Sequence, residues 1–268
     1  MPQLGNFSLS ADEAAPTKRG RILISGVTPD ADRGSATAML GHAIGREGET
    51  RLWFARLVNA ILPKMPTFLV VHGSLTDGAE TVLVNASNTN CELGSGVSGA
   101  IRRACGLGYQ EHIMAALHAR CGSAMPPGEV LITDAGSHPH AHYVAHVAVM
   151  DYRHGFGAAS FPSLALVRQA CTRLWQELEG LGTTTPLSVA MVALGGGTGR
   201  LGVRQPTEVA CQTLAEHLSR HQSTALGRLV FYGYELPEYL AMVEVVGAHF
   251  PLEPGSVPPE VQDYLKRL

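Results

Sequence analysis

Apolar runs and amphipathic segments alternate along most of the chain. Seven short runs rich in β-branched residues predict strands, at residues 21–25, 68–72, 81–86, 129–133, 142–149, 188–194 and 228–234. Several of these runs are apolar at nearly every position, which is typical of strands covered on both faces. Apolar residues also recur at helical spacing between the strands, as at Val167, Cys171 and Leu174. The alternation predicts a three-layer α/β/α sandwich with a mixed, largely parallel central sheet.

The same pattern predicts three regions. Residues 67–250 form the main domain, and residues 251–268 form a proline-rich C-terminal tail with a short helix. Residues 1–66 combine a strand with helical segments but have no convincing core of their own. We therefore expect them to be an extension packed on the main domain, with Trp53 and Phe54 contributing to that packing.

Composition narrows the class of protein. Of the 268 residues, 45% are hydrophobic and 16% are charged, and the net charge is −3. No apolar run reaches the length of about 18 residues that a membrane helix needs. The charge balance gives no electrostatic case for binding nucleic acid. Five cysteines without a CxxC pair indicate reduced thiols, which predicts a cytoplasmic location.

Two glycine clusters follow predicted strands. One spans residues 94–99 and opens a helical pattern, and the other spans residues 194–202. Glycine lets the backbone approach a ligand closely, so that several N–H groups can converge on one anion, and a helix N-terminus adds partial positive charge. Two such loops at strand ends suggest a ligand with two phosphates. Neither cluster has the GK[ST] ending of a P-loop.

Residues 94–99 also spell G-x-G-x-x-G, the dinucleotide fingerprint of a Rossmann fold. That fingerprint follows its strand at once, and an acidic residue ends the next strand about 20 positions later. Here seven residues separate Asn85 from the "LGSG" segment, and the residues around His118 have a helical pattern. The match to the Rossmann fingerprint is therefore weak, and an NAD-binding Rossmann protein ranks third among the functions considered, after the two described below.

Several motifs in order resemble the macro domain family, which binds ADP-ribose. They are "VNASN" (84–88), "LGSGVSGAIRRACG" (93–106), "GEVLITDAGSHPHAHYVAHVAVMD" (128–151), "SVAMVALGGGTGRLG" (188–202) and "LVFYGYELPEYL" (229–240). The resemblance covers residues 67–250. It implies that this chain binds ADP-ribose, free or protein-linked. No cofactor is predicted.

The resemblance also implies roles for particular residues. Asn88 lies against the distal ribose and is the one candidate catalytic residue, Asn85 ties the loop together, and Tyr234 stacks on adenine. The implied ligand-binding set is Ser74, Leu75, Ala86, Asn88, Gly94, Ser95, Gly96, Val97, Ser98, Gly195, Gly196, Gly197, Thr198, Gly199, Arg200 and Tyr234.

Two departures from the family pattern bear on function. Ser74 replaces the aspartate that binds the adenine amino group, so adenine selectivity is expected to be weak. Ser98 replaces the aspartate of the hydrolytic branch, and a serine without a neighbouring base is a poor general base. An ADP-ribosyl hydrolase, acting on protein side chains or on O-acetyl-ADP-ribose by substrate-assisted water attack, is the alternative to a binding protein.

The remaining candidates are titratable residues. Histidines crowd residues 138–154, yet no cysteine or second cluster completes a tetrahedral zinc site, so no metal is predicted. Glu92 and Asp134 are the acidic residues nearest to the loops in the sequence. Arg102 and Arg103 are expected to be solvated helix charges.

Overall fold

The computed structural model describes residues 65–221 and 224–267. Its strands are β1 (Thr67–His72), β2 (Val82–Asn88), β3 (Val130–Asp134), β4 (Tyr143–Met150), β5 (Leu187–Met191) and β6 (Leu226–Gly233). Its α-helices are α1 (Gly96–Ala104), α2 (Tyr109–Cys121), α3 (Leu164–Glu179), α4 (Arg204–Arg220), α5 (Leu236–His249) and α6 (Pro259–Leu265). The predicted strand at 21–25, the predicted helical segments before residue 65, and Trp53 and Phe54 lie outside the described residues.

The six strands form one mixed sheet in the order β1-β6-β5-β2-β4-β3. Every neighbouring pair is parallel except β3–β4, which is antiparallel. The predicted α/β architecture is confirmed. The predicted strand at 188–194 is shorter in the structure, because Ala193 already accepts a hydrogen bond from the Gly196 N–H within the glycine loop.

Helices cover both faces of the sheet, and each face has its own buried core. Beneath α3, α4 and α5, the core includes Leu174, Trp175 and Leu214. Beneath α1 and α2, it includes Ile101 and Ile113. Burial of each large apolar side chain contributes about 1.5–3 kcal/mol relative to exposure, so the two layers hold the sheet rigidly between them.

The C-terminal tail closes the free edge of β1. Leu252 forms a bridge to Phe68, the Glu253 N–H donates to the Phe68 carbonyl, and the Phe68 and Phe250 rings stack with centroids 4.1 Å apart. In the described part of the chain, no helix has the length and apolar character required to cross a membrane.

A crevice opens between β2 and β5. The two strands pair only at Val82 and Leu83, and β2 then continues to Asn88 without β5 beside it. The helix that follows β2 packs on one face of the sheet, and the helix that follows β5 packs on the other. This reversal is a topological switch point, the usual ligand position in open α/β sheets.

Candidate functional site

The loops that carry the predicted site residues lie at one end of the sheet. Five of the six strands run in the same direction, so the loops after β1, β2, β4, β5 and β6 leave the sheet at one edge. The two glycine loops follow β2 and β5, the strands that border the crevice. Residues far apart in sequence therefore meet at this edge.

The first glycine loop ends in the N-terminus of α1. Gly96, Val97 and Ser98 are the first three residues of this nine-residue helix, and the N-cap Ser95 makes no side-chain cap. The N–H groups of a helix's first turn have no partner within the helix, so they are available to an anion. Gly94, Ser95 and Gly96 are exposed at the surface.

The second glycine loop folds on itself through hydrogen bonds between residues close in sequence. The N–H groups of Gly196, Arg200 and Leu201 donate to carbonyls within or just before the loop. Among the described residues, the N–H groups of Gly197, Thr198 and Gly199 have no such acceptor. These three groups are therefore among those that the loop can offer to a ligand.

Packing fixes the flanks of the second loop. A Cβ on Gly195 would lie 2.9 Å from Pro162, and one on Gly199 would lie 2.5 Å from the Gly195 carbonyl oxygen. Arg200 has a left-handed backbone (φ 62°), and its guanidinium lies 4.5 Å from the centre of the Phe161 ring. The Arg200 side chain is thus already engaged with the loop that follows β4.

Asn88, at the end of β2, is held by its own loop. Its Oδ1 accepts from the N–H groups of Asn90 (3.0 Å) and Glu92 (3.1 Å), and its Nδ2 donates to the Glu92 carbonyl (3.0 Å). The carboxamide therefore keeps one unused Nδ2 hydrogen as a donor to a ligand oxygen. A carboxamide has both a donor and an acceptor group, but the loop already occupies the acceptor of Asn88.

Ser98 points into the core. Its Oγ donates to Asn85 Oδ1 at 2.8 Å, and Asn85 Nδ2 lies 3.2 Å from His146 Nδ1. Burial lowers the pKa of His146 to about 3, so this imidazole is neutral at physiological pH. The neighbours of Ser98 are consequently an amide and a neutral ring. Neither has the basicity to activate the hydroxyl.

The loops after β1 and β6 hold the two residues expected at the adenine end. Ser74 caps a short 3-10 helix, and its Oγ lies 2.8 Å from Thr76 Oγ1. Leu75 is buried in the core, so only its backbone is available to a ligand. Tyr234 follows β6 with 70% of its surface exposed. An exposed ring beside the crevice can take a stacking partner without moving anything.

Asp151 directly follows β4, beside the end of β2, and the sequence did not single it out. It follows Met150, the register partner of Asn88. Arg153 binds its carboxylate through two nitrogens, at 2.9 and 2.7 Å, and holds its pKa at about 2. A carboxylate with so low a pKa is a weak general base.

Asp134 lies at the opposite edge of the sheet. Its strand is antiparallel, so Asp134 pairs with Tyr143 at the start of β4, and it contacts His112 at 2.8 Å. Proximity in sequence was therefore misleading for this residue. Glu92 lies in the first loop, is exposed, and has its backbone bound to Asn88.

The histidines between residues 138 and 154 contact different parts of the structure. His138 lies 3.1 Å from the Thr76 carbonyl through Nε2 and accepts the Ala141 N–H at Nδ1, whereas His146 is buried under α1 and α2. Within the described residues, no three His, Cys, Asp or Glu side chains converge as metal ligands.

Cys91, beneath the first loop, has a pKa raised by burial to about 12, so its thiol stays protonated.

Comparison with known proteins identifies what this geometry is similar to. Residues 84–210 match the family model described as Macro domain. An O-acetyl-ADP-ribose deacetylase of Citrobacter rodentium is 41% identical over 70 residues, which are 26% of this chain and 38% of that protein. The match therefore spans well under half of the length of that relative.

Solved macrodomains share the fold. The Oceanobacillus iheyensis macrodomain with ADP aligns with a TM-score of 0.55 and 20% identity, over 67% of this chain and 89% of that one. The Trypanosoma brucei macrodomain in complex with ADP-ribose aligns with a TM-score of 0.56 and 22% identity, over 71% and 76%. At this level of identity the likeness establishes the architecture.

Proposed function

We propose that this chain carries a macro domain and that it binds ADP-ribose, free or protein-linked, in the crevice between β2 and β5; the match of residues 84–210 to the Macro domain model and the fold shared with solved macrodomains support the proposal. The observation that carries the proposal is the placement of two glycine loops on either side of a topological switch point. Each loop presents backbone N–H groups that have no partner among the described residues, the arrangement that a diphosphate needs.

Two glycines support an occupant of the crevice. At Gly94 and at Gly197, an added Cβ would meet nothing within 4 Å, and neither residue has a left-handed backbone. Packing and conformation within the protein therefore do not require glycine at these positions. A ligand in close contact with the backbone would require it, because such a ligand would leave no room for a side chain.

The other contacts follow from the polarity of the groups at the crevice. The unused Nδ2 hydrogen of Asn88 donates to a hydroxyl oxygen of the distal ribose. Tyr234 stacks on the adenine ring, and Ser74 accepts weakly from its amino group, since its hydroxyl also bonds within its own turn. Binding thus relies more on the diphosphate and the ribose than on the base.

Alanine at the two open glycines tests the proposal. Gly94→Ala and Gly197→Ala should each weaken ADP-ribose binding by about tenfold, because a methyl group enters the space of a phosphate. Gly247→Ala, in α5, is the matched control, since its Cβ would meet only Leu252 at 3.7 Å. Titration calorimetry measures the affinities, and thermal unfolding verifies that each variant is folded. Unchanged affinity in both loop variants would refute the two-loop site.

A second candidate function is deacetylation of O-acetyl-ADP-ribose, which the name of the Citrobacter rodentium relative favours. Against a fast reaction stand the inward-pointing hydroxyl of Ser98 and the pairing of Asp151 with Arg153. Water held between a ligand phosphate and the ribose is the remaining route. It predicts slow acetate release in single-turnover assays and a further loss in Asn88→Ala. Rapid release would make the protein an enzyme first and a binding protein second.

A further inference from the structure

Five polar side chains form one line through the apolar layer beneath α1 and α2. The successive contacts are Ser98 Oγ–Asn85 Oδ1 (2.8 Å), Asn85 Nδ2–His146 Nδ1 (3.2 Å), His146 Nε2–Thr133 Oγ1 (3.2 Å) and Thr133 Oγ1–Tyr109 Oη (3.0 Å). We call it the Ser98–Tyr109 chain. Each member is less than a tenth exposed, so each polar atom depends on its neighbours in the chain for hydrogen bonds.

The Tyr109 end of the Ser98–Tyr109 chain sets the direction of its hydrogen bonds. Tyr109 Oη lies 3.1 Å from the backbone carbonyl of Asp134, which can only accept. When Tyr109 donates to that carbonyl, its oxygen accepts from Thr133, and Thr133 accepts from the N–H at Nε2 of His146. His146 Nδ1 then accepts from Asn85, and Asn85 Oδ1 accepts from Ser98.

The opposite direction satisfies fewer groups. If the Asn85 amide were turned, His146 would carry its proton on Nδ1 and Tyr109 would donate to Thr133, so the Asp134 carbonyl would lose its hydroxyl donor. The Ser98 proton would then have only the Ala86 carbonyl, at 3.5 Å, the limit of a hydrogen bond. Burial lowers the pKa of His146 to about 3, so a doubly protonated ring does not resolve the choice.

We propose that the Ser98–Tyr109 chain makes Ser98 a specificity-determining residue that accepts but does not donate a hydrogen bond at the ligand site, with Asn85 and His146 as positioning residues. This inference rests on the proposed function. Among the described residues, no donor contacts Ser98 Oγ, so its lone pairs have no partner within the protein, and 8% of the residue remains exposed at the surface. Phosphate oxygens at neutral pH are acceptors, so Ser98 can serve only a donor, such as a ribose hydroxyl or a bound water.

The position of Ser98 assigns it to the ribose side of the site. Its Oγ lies 3.5 Å from the carbonyl of Ala86, two residues before Asn88. The two side chains then divide the recognition of a hydroxyl group. Asn88 donates to the hydroxyl oxygen through Nδ2, and Ser98 accepts a hydroxyl proton through Oγ.

Nitrogen-15 NMR of the imidazole tests the direction of the chain without any ligand. The wild-type protein should show His146 as the neutral tautomer with its proton on Nε2. Asn85→Asp should move the proton to Nδ1, because a carboxylate accepts from both Ser98 and His146. A wild-type ring protonated on Nδ1 would overturn the proposed direction. A ring that keeps its Nε2 proton in Asn85→Asp would overturn the positioning role of Asn85.

Paired titrations test the consequence for the ligand. Ser98→Ala should lower the affinity for ADP-ribose about fivefold more than the affinity for ADP, which lacks the distal ribose. Ser98→Cys retains the bulk but accepts poorly, so it should show the same selectivity if the alanine variant folds badly. An equal loss for both ligands would show that Ser98 donates to phosphate and would overturn the proposal. If the wild type binds neither ligand, the proposed function fails, and the NMR measurement still decides the direction of the chain.

Discussion

Ser98 Oγ donates a hydrogen bond to Asn85 Oδ1 at 2.8 Å, and both side chains are buried behind the first glycine loop. The hydroxyl is therefore part of the core as well as part of the loop. Replacing it with the aspartate of the hydrolytic branch would place a carboxylate against an amide oxygen. The amide would have to turn, and the Asp134 carbonyl would lose the hydroxyl of Tyr109 as its donor.

We expect Ser98→Asp to destabilise the domain by about 1–3 kcal/mol at neutral pH, the usual cost of an unsatisfied buried polar group. Burial raises the folded-state pKa of the introduced carboxyl above its unfolded value of about 3.9. The variant therefore keeps its stability below about pH 3.9 and loses it as the pH rises from there through the folded-state pKa. Urea unfolding at several pH values measures the effect.

Ser98→Asn, which is neutral and of similar size, is the control for volume in this experiment. It should show a much smaller dependence on pH than Ser98→Asp. If the aspartate variant is as stable as the wild type at every pH, the hydroxyl of Ser98 does not face Asn85.

His146 predicts a second dependence of stability on pH. Its folded-state pKa, about 3, lies below the usual value, so its contribution is present above about pH 6.5 and is lost as pH falls toward 3. Each pH unit in this window should cost the wild type about 1.4 kcal/mol more than a variant without the group. Urea unfolding of His146→Gln and of the wild type separates the pH dependence due to His146 from the pH dependence due to the carboxylates. If the free energy of unfolding changes with pH in the same way in both proteins, His146 is not a buried neutral imidazole.

The strands and most helices could be predicted because their signal is local. The runs at 68–72 and 129–133 are each within one residue of β1 and β3 as observed. The Ser98–Tyr109 chain could not be predicted, because Asn85 and His146 are 61 positions apart and meet only through the register of β2 with β4. The antiparallel direction of β3 was equally invisible, and it removes Asp134 from the site.

The glycine loops show how much of the candidate site the sequence could predict. Their place after strands predicted a ligand with two phosphates, and the parallel strands β2 and β5 bring both loops to the same end of the sheet. The sequence did not reveal which N–H groups remain unpaired, because that depends on turns such as Arg200 to Gly197. Nor did it reveal the pairing of Asp151 with Arg153 at the end of β4.

Tyr234 should contribute to ligand binding and little to stability. With 70% of its surface exposed, Tyr234→Ala should lower ADP-ribose affinity about fivefold through lost stacking, and leave the unfolding temperature nearly unchanged. Tyr264→Ala, in α6, removes another exposed tyrosine ring (48% exposed) and is the control. Equal affinities for both variants would show that the base does not lie against Tyr234.

Ser74 should make the base selectivity weak. The wild type is expected to bind inosine diphosphate ribose within about tenfold of ADP-ribose, because a hydroxyl is a weaker acceptor than a carboxylate for the adenine amino group. Ser74→Asp should widen this ratio, and Ser74→Asn should not, since it lacks the charge. A ratio well above tenfold in the wild type would mean that another group reads the amino position.

Titration calorimetry with ADP-ribose, ADP and AMP on the wild-type protein tests the central claim most directly. Two phosphate loops and a ribose site at the crevice predict that ADP-ribose binds at least about tenfold more tightly than AMP, which has one phosphate and no distal ribose. ADP should lie between them, since it spans both loops but leaves Asn88 and Ser98 without a hydroxyl. Equal affinities for the three ligands, or no binding of ADP-ribose, would contradict the account.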